Sequence, residues 1–304
     1  MLGNLLRNFL SSRNAQPDAV VVPAPADGAA RLYKAALEAW RAGRPGEAVA
    51  GCKEALELDP SFAPAHVLLA NIDLPGENYL EVLGRIQAHV RPRSYVEIGV
   101  ARGESIRLVD PATRAIGVDP EPNIQFELPP NVAIVAETSD EFFAKHDVST
   151  ELGNVPIDLA FIDGMHQFEF ALRDFVNIEA LCTPDSTILI HDVYPLDERT
   201  AARERVTDFW SGDIWRLILL LRAHRPDLAV HTIATQPTGL AIVRKLDPQS
   251  RYLRANLDRL IDEYRAVEFS VLDGCKAERL ALFPNDWTRI KALLDAGAPR
   301  VAEA

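Results

Sequence analysis

Between Ser94 and about Pro226, short runs of aliphatic and β-branched residues alternate with stretches whose apolar positions recur every three or four residues. The runs cover 94–100, 114–119, 132–136, 157–163 and 186–193, and their near-continuous hydrophobicity predicts strands buried on both faces of a parallel sheet. Two further runs, Asp227 to Ala234 and Gly239 to Lys245, are joined only by Thr235-Gln-Pro-Thr238. So short a link cannot hold a crossover helix, so this last pair is expected to be an antiparallel hairpin. The pattern therefore predicts an α/β fold, a doubly wound and mostly parallel sheet that ends in an antiparallel hairpin.

Helical periodicity frames this region. Asn78 to Val90 reads as a helix, and further upstream Leu32, Ala35, Ala36, Ala39 and Trp40 would share one face of another. Gly43-Arg-Pro-Gly46 turns the chain, and a second helix would carry Ala48, Cys52, Ala55 and Leu56 inward before Asp59-Pro60. Gly43, Ala48, Ala55 and Pro60 fall on a 34-residue repeat template, with Leu32 where an aromatic is usual, so this all-α region resembles one tetratricopeptide repeat. A single repeat leaves an apolar face to cover, which implies packing on the rest of the chain, on a second copy or on a protein partner. Met1 to Asn14 reads as an amphipathic helix and Gln16 to Gly28 as an Ala/Pro-rich linker. Pro248 to Glu268 and Lys276 to Leu294 read as amphipathic helices with no chemical motif. The expected organisation is residues 1–28 helix and linker, 29–77 helical repeat, 78–247 catalytic domain and 248–304 helical extension.

The chemistry concentrates at the ends of the predicted strands. The first runs into Glu97-Ile-Gly-Val-Ala-Arg-Gly103, an acid followed by glycines that let backbone approach a ligand, with a helix expected after Ser105 to offer N–H groups to a negative end. Val100, Ala101 and Arg102 stand where a dinucleotide site would place a second close glycine, so a pyrophosphate is poorly served. An adenosine ligand ending in an ammonium and a carboxylate suits the spacing better, and S-adenosylmethionine (SAM) is such a ligand. Asp119 ends the second strand about 20 residues after Glu97, the offset of a ribose-binding acid. Thr138 and Ser139 follow the third strand, where a cap is expected for the helix over 140–145. The fourth strand ends at Asp163 and the fifth at His191-Asp192, where open α/β sheets bind ligands. His166 lies just beyond the fourth, while Phe168 and Phe170 with Asp174 read as packing plus a surface acid.

In order, Glu97 to Gly103, Gly117-Val-Asp119, Phe161-Ile-Asp-Gly-Met-His166, Ile190-His-Asp192 and Thr238-Gly-Leu240 resemble the class I SAM-dependent methyltransferases. The branch most similar is that of the macrocin O-methyltransferases and family 24 methyltransferases. The resemblance covers residues 94 to about 247. It implies a Rossmann-like sheet and a cofactor set of Glu97, Gly99, Gly103, Ser105, Asp119, Thr138, Ser139 and Asp163. It implies transfer of a methyl group to a hydroxyl of a small molecule or sugar, with Asp163, His166 and Asp192 catalytic. In similar metal-dependent enzymes acids after the fourth and fifth strands hold a divalent cation, so Asp163, His191 and Asp192 are the candidate ligands for magnesium or another such ion. The alternative is catalysis without metal, with His166 or His191 as general base.

Composition narrows the classes rather than choosing among them. Of 304 residues, 44 are acidic and 32 are Lys or Arg, a formal charge of −12 that argues against general nucleic-acid binding. No apolar run approaches the ~20 residues that span a bilayer. Cys52, Cys182 and Cys275 lack metal-ligand spacing and fit a reducing cytoplasm, each as a small core residue. Three rival functions stay open: a protein methyltransferase recruited through the repeat, a catalytically silent interaction protein on this scaffold, and, last, a hydride-transfer enzyme.

Overall fold

The computed structural model describes residues 26–296. The expected amphipathic helix over Met1 to Asn14 and most of the linker lie outside the described residues. The chain forms two compact units. Among the described residues, one comprises those up to Asp73 together with Arg205–Trp210, and the other Leu74–Glu204 and those from Ser211 onward.

The first unit is helical: α1 (Ala26–Arg41), α2 (Pro45–Leu58) and α3 (Ala63–Asp73). Ala48, Cys52, Ala55 and Leu56 of α2 are buried, as their spacing predicts. On α1 the buried alanines are Ala29, Ala36 and Ala39, whereas Ala35, expected on the same face, is exposed. The face is rotated because small residues set where two backbones approach: a side chain on Gly51 of α2 would lie 3.0 Å from the Ala36 methyl. Tyr33 packs edge-on against Phe62 at 5.6 Å, and the His66 ring stacks on Phe209 at 5.3 Å.

The second unit is built on one eight-stranded sheet. Its strands are β1 (Ser94–Ile98), β2 (Arg114–Val118), β3 (Val132–Val135), β4 (Ile157–Ile162), β5 (Cys182–His191), β6 (Ala229–Ile233), β7 (Leu240–Arg244) and β8 (Leu282–Phe283). Their order is β3-β2-β1-β4-β5-β7-β6-β8. Only β7 runs against its neighbours, pairing antiparallel with both β5 and β6. The fold is therefore the mostly parallel, Rossmann-like sheet with an antiparallel hairpin that the strand pattern predicts. All five residues of β1 are buried, as are all five of β7. Such burial on both faces is why most of their positions are apolar, with Ser94, Glu97 and Arg244 as the buried polar exceptions.

Helices α4 (Tyr79–Val90), α5 (Ser139–Lys145), α6 (Phe168–Glu179), α7 (Trp215–His224), α8 (Leu257–Arg265) and α9 (Trp287–Asp295) belong to this unit. Asn78 and Glu81 form a reciprocal capping box at the start of α4, and Thr138 and Glu141 do so for α5. The cap of α5 is thus Thr138 rather than Ser139, because the box needs an acid three residues on and Glu141 stands there.

Three other expectations change. The helix foreseen after Gly103 is only a 3-10 turn over Ile106–Leu108. Left-handed backbone at Gly99, Ala101 and Gly103 and the Asp110-Pro111 pair leave no room for α-helical turns between. The amphipathic stretch over 276–294 breaks into a single turn, the edge strand β8 and α9, since Pro284 stops helix growth and β8 finds a free edge on β6. Asp174 is not a surface acid: it is 2% exposed on the inner side of α6, and burial pushes its carboxyl up to about 7. Among the described residues no helix is long and apolar enough to cross a membrane.

Candidate active site

The carboxyl ends of β1, β2, β4 and β5 bring most of the predicted residues to one edge of the sheet. Gly99, just past β1, has φ +88°, and a Cβ there would sit 2.1 Å from the Asp163 carbonyl oxygen. Only glycine lets the tips of β1 and β4 touch in this way. Gly103, at φ +83°, faces the side chains of Ile124 and Leu128.

Glu97 is fully buried under this loop. Its two carboxyl oxygens accept the Tyr95 hydroxyl at 2.6 Å and the Ser105 hydroxyl at 2.5 Å. Burial pushes its pKa up to about 8 against the pull of those two donors. Ser105 is thereby committed to Glu97. Asp119 Oδ2 accepts the backbone N–H of Val100 (3.0 Å) and Ala101 (2.8 Å), and Oδ1 accepts that of Glu121 (2.8 Å). A carboxylate oxygen has about two acceptor positions, so Oδ1 keeps one for an incoming hydroxyl. Thr138 is occupied by its capping box, its hydroxyl donating to Glu141 at 2.8 Å. Ser139 bonds toward Asp174. Thr138 thus serves its own helix, while Ser139 reaches across to α6.

The tips of β4 and β5 form a tighter group. His191 Nδ1 lies 3.0 Å from Asp163 Oδ1 and 3.5 Å from Asp192 Oδ2, while His166 Nε2 lies 3.2 Å from Asp192 Oδ2 and 4.0 Å from Asp163 Oδ1. Burial alone would drain the charge from His191, but the two carboxylates outweigh it and hold the imidazole up to about 10. Burial likewise opposes ionisation of Asp192, and the two imidazoles with the Thr238 hydroxyl overcome it, holding its carboxyl down at about 2. Asp192 itself sits at φ +60°, left-handed backbone that an aspartate tolerates better than most residues. Asp163, His166, His191 and Asp192 line a pocket of about 10 Å³ with Ile162, Ile190 and Ile214. That is room for one water or one ion.

Asp163, His191 and Asp192 each offer a ligand atom within 4.8 Å of the others, the same three residues expected to hold a cation. Two carboxylates with an imidazole suit a divalent transition metal, at the expense of the proton on His191. The His191 Nε2 atom is buried without a hydrogen-bond partner, so only Nδ1 faces the carboxylates.

Two participants have roles the sequence did not show. Tyr79, the first residue of α4, stacks on the His191 ring with centroids 3.9 Å apart. Burial and the nearby carboxylates Asp163, Glu104, Asp192 and Glu97 raise its phenol well above the usual range. Thr238, in the β6–β7 link, donates its hydroxyl to Asp192. Thr238-Gly239 was visible as a motif, but not its target. A tyrosine 112 positions before the histidine it covers could be found only once the sheet order was known.

No curated protein matches the chain significantly. Among solved structures, cofactor-bound Rv0187 from MTB overlaps at 18% identity and TM-score 0.44, covering 62% of this chain and 90% of its own. The O-methyltransferase TomG from Streptomyces achromogenes, solved in complex with SAM, overlaps at 13% identity and TM-score 0.42, over 80% of this chain and 96% of its own. At such scores the overlaps are loose and say nothing of chemistry. Residues 96–193, from β1 through the Asp192 tip of β5, match the family 24 methyltransferase model, described as a methyltransferase domain.

Proposed function

We propose that the protein transfers a methyl group from SAM to a hydroxyl oxygen of a small molecule or sugar. One observation carries this reading: the His166–Asp192 pair, 3.2 Å apart, opens at the ends of β4 and β5 inside the segment that matches a methyltransferase domain. SAM supplies an electrophilic methyl group on a sulfonium, so the protein's work is to align the acceptor and take its proton. Asp119, with its remaining acceptor position, suits a ribose hydroxyl. Glu97 suits the ammonium only by ionising as the ligand arrives, since it is buried and pushed up to about 8. The short 3-10 turn after Gly103 offers less to a carboxylate than a full helix would.

His166 is the better base. Its side chain is 27% exposed, against 7% for His191, which is walled by Tyr79 and two carboxylates. As the acceptor oxygen gains the methyl group, its proton passes to the His166–Asp192 pair, whose facing atoms are Nε2 and Oδ2. Asp163 and the charged His191 keep that pair in place. If a divalent cation binds, Asp163, His191 and Asp192 would hold it, and it would supply Lewis-acid polarisation of the acceptor oxygen.

Calorimetric titration with SAM, and with NAD as the counter-ligand, tests the cofactor; heat with NAD but none with SAM rejects the proposal. Transfer of labelled methyl to a panel of phenols and sugars, with and without a chelator, tests the acceptor and the metal. In that assay Asp192→Asn is expected to lose transfer by roughly 10²- to 10⁴-fold, the range of general-base contributions, with SAM affinity retained.

A further inference from the structure

His166 lies on the link between β4 and α6, and a link needs something to hold it. The first N–H groups of a helix seek acceptors, and the residue before α6, Gln167, makes no side-chain cap. The acceptor comes instead from 45 residues further along the chain. Asp213, with no exposed surface, takes the backbone N–H of Phe168 on Oδ1 at 2.6 Å. Its own N–H donates to the carbonyl of His166 at 3.2 Å. The same carboxylate and the same backbone thus grip the chain on both sides of Gln167.

The neighbours make the grip specific. Gly212, at φ +64°, passes so close that a Cβ would lie 1.8 Å from the His166 carbonyl oxygen. Asp213 Oδ2 is paired with Arg216 and, at 3.5 Å, with Arg203. Arg203 in turn bonds Gln167 Oε1 at 3.1 Å and Glu169 Oε2 at 2.7 Å. A buried carboxylate at the positive end of a twelve-residue helix, neutralised by two guanidiniums, is a stiff support.

We infer that Asp213, presented by Gly212 and braced by Arg203 and Arg216, is a positioning residue that fixes the His166 imidazole against Asp192. The inference rests on His166 being the base of the proposed transfer. Asp213 does not touch the reacting atoms. It acts through the two backbone bonds that set where the His166 side chain begins.

Nuclear magnetic resonance of the ring nitrogens in ¹⁵N-labelled full-length protein reads this without any acceptor, the His166 signals being assigned by their loss in His166→Gln. Asp213→Asn is expected to shift or broaden them while SAM affinity, measured calorimetrically on the same sample, stays unchanged. Glu179→Gln, which breaks a buried ion pair at the far end of the same helix, is expected to leave them in place. Unmoved signals in Asp213→Asn, or equal movement in Glu179→Gln, would overturn the positioning role. If Asp213→Asn does not fold, Arg203→Gln serves, since that side chain is 29% exposed; it must move the same signals, and their constancy counts against the role. Failure of the unsubstituted protein to bind SAM would instead overturn the reading beneath it.

Discussion

Three buried groups at the strand tips are held away from their ordinary protonation, and each leaves its own trace on stability. Glu97 titrates at about 8 in the fold and at an ordinary carboxyl value when unfolded. Between those values the folded state binds the extra proton, so its contribution is full at low pH and is lost as pH rises toward 8. Glu97→Gln, which keeps shape and cannot ionise, should therefore flatten the fall in melting temperature between pH 5 and 8; a change of about 1 kcal/mol is roughly 2–4 °C in a unit of this size. An identical slope in both proteins would rule out an unusual Glu97. His191 follows the same sign, losing its contribution as pH climbs toward about 10. Asp192 has the opposite one, giving way only as pH drops toward about 2. Such values could not be read from the sequence. Glu97, Asp163, His191 and Asp192 were visible as residues at strand ends, but the depth of burial and the pairing that shift them belong to the sheet.

Element by element, β2 and β4 were legible because they are buried almost throughout and so are written as mostly apolar runs, while β3 at the sheet edge, only half-buried, was legible from Val132-Ala-Ile-Val135 itself. The hairpin of β6 and β7 was legible because its link is short. Segments whose structure depends on a distant partner were not. Strand β8 is two residues long and exists by pairing with β6; the 3-10 turn after Ser105 replaces a helix because the glycine loop is spent on touching β4. That contact sets an expectation: Gly99→Ala should destabilise the sheet unit by about 3 kcal/mol or more, or prevent folding, since the new methyl meets backbone on the facing loop. A milder change belongs to α4. Asn78→Ala removes the box that starts this helix, at a cost of about 1 kcal/mol measured by denaturant unfolding, and loosens Tyr79 over His191.

Across the whole molecule, one buried ion pair ties the far ends of several elements. Arg225, after α7, grips Glu179 at the end of α6 at 2.8 Å and also Asp227 before β6, while Glu179 accepts the backbone N–H of Asp247 after β7. Arg225→Met leaves the Glu179 carboxylate buried and uncompensated, and should cost about 3–5 kcal/mol with little dependence on added salt. Strong salt dependence of that loss would place the pair in solvent instead. The division into two units was the least legible feature, because Arg205–Trp210 lies deep in the sequence of the sheet unit and belongs with α1, α2 and α3. The helical front end is for this reason no detachable module. A chain trimmed to begin at Leu74 would keep Phe209 but lose the His66 ring stacked on it, stranding an apolar strap in mid-sequence and inviting aggregation. Recruitment of a protein acceptor through the helices is therefore best probed by charge reversal at outward positions such as Lys53 and Glu54, not by truncation.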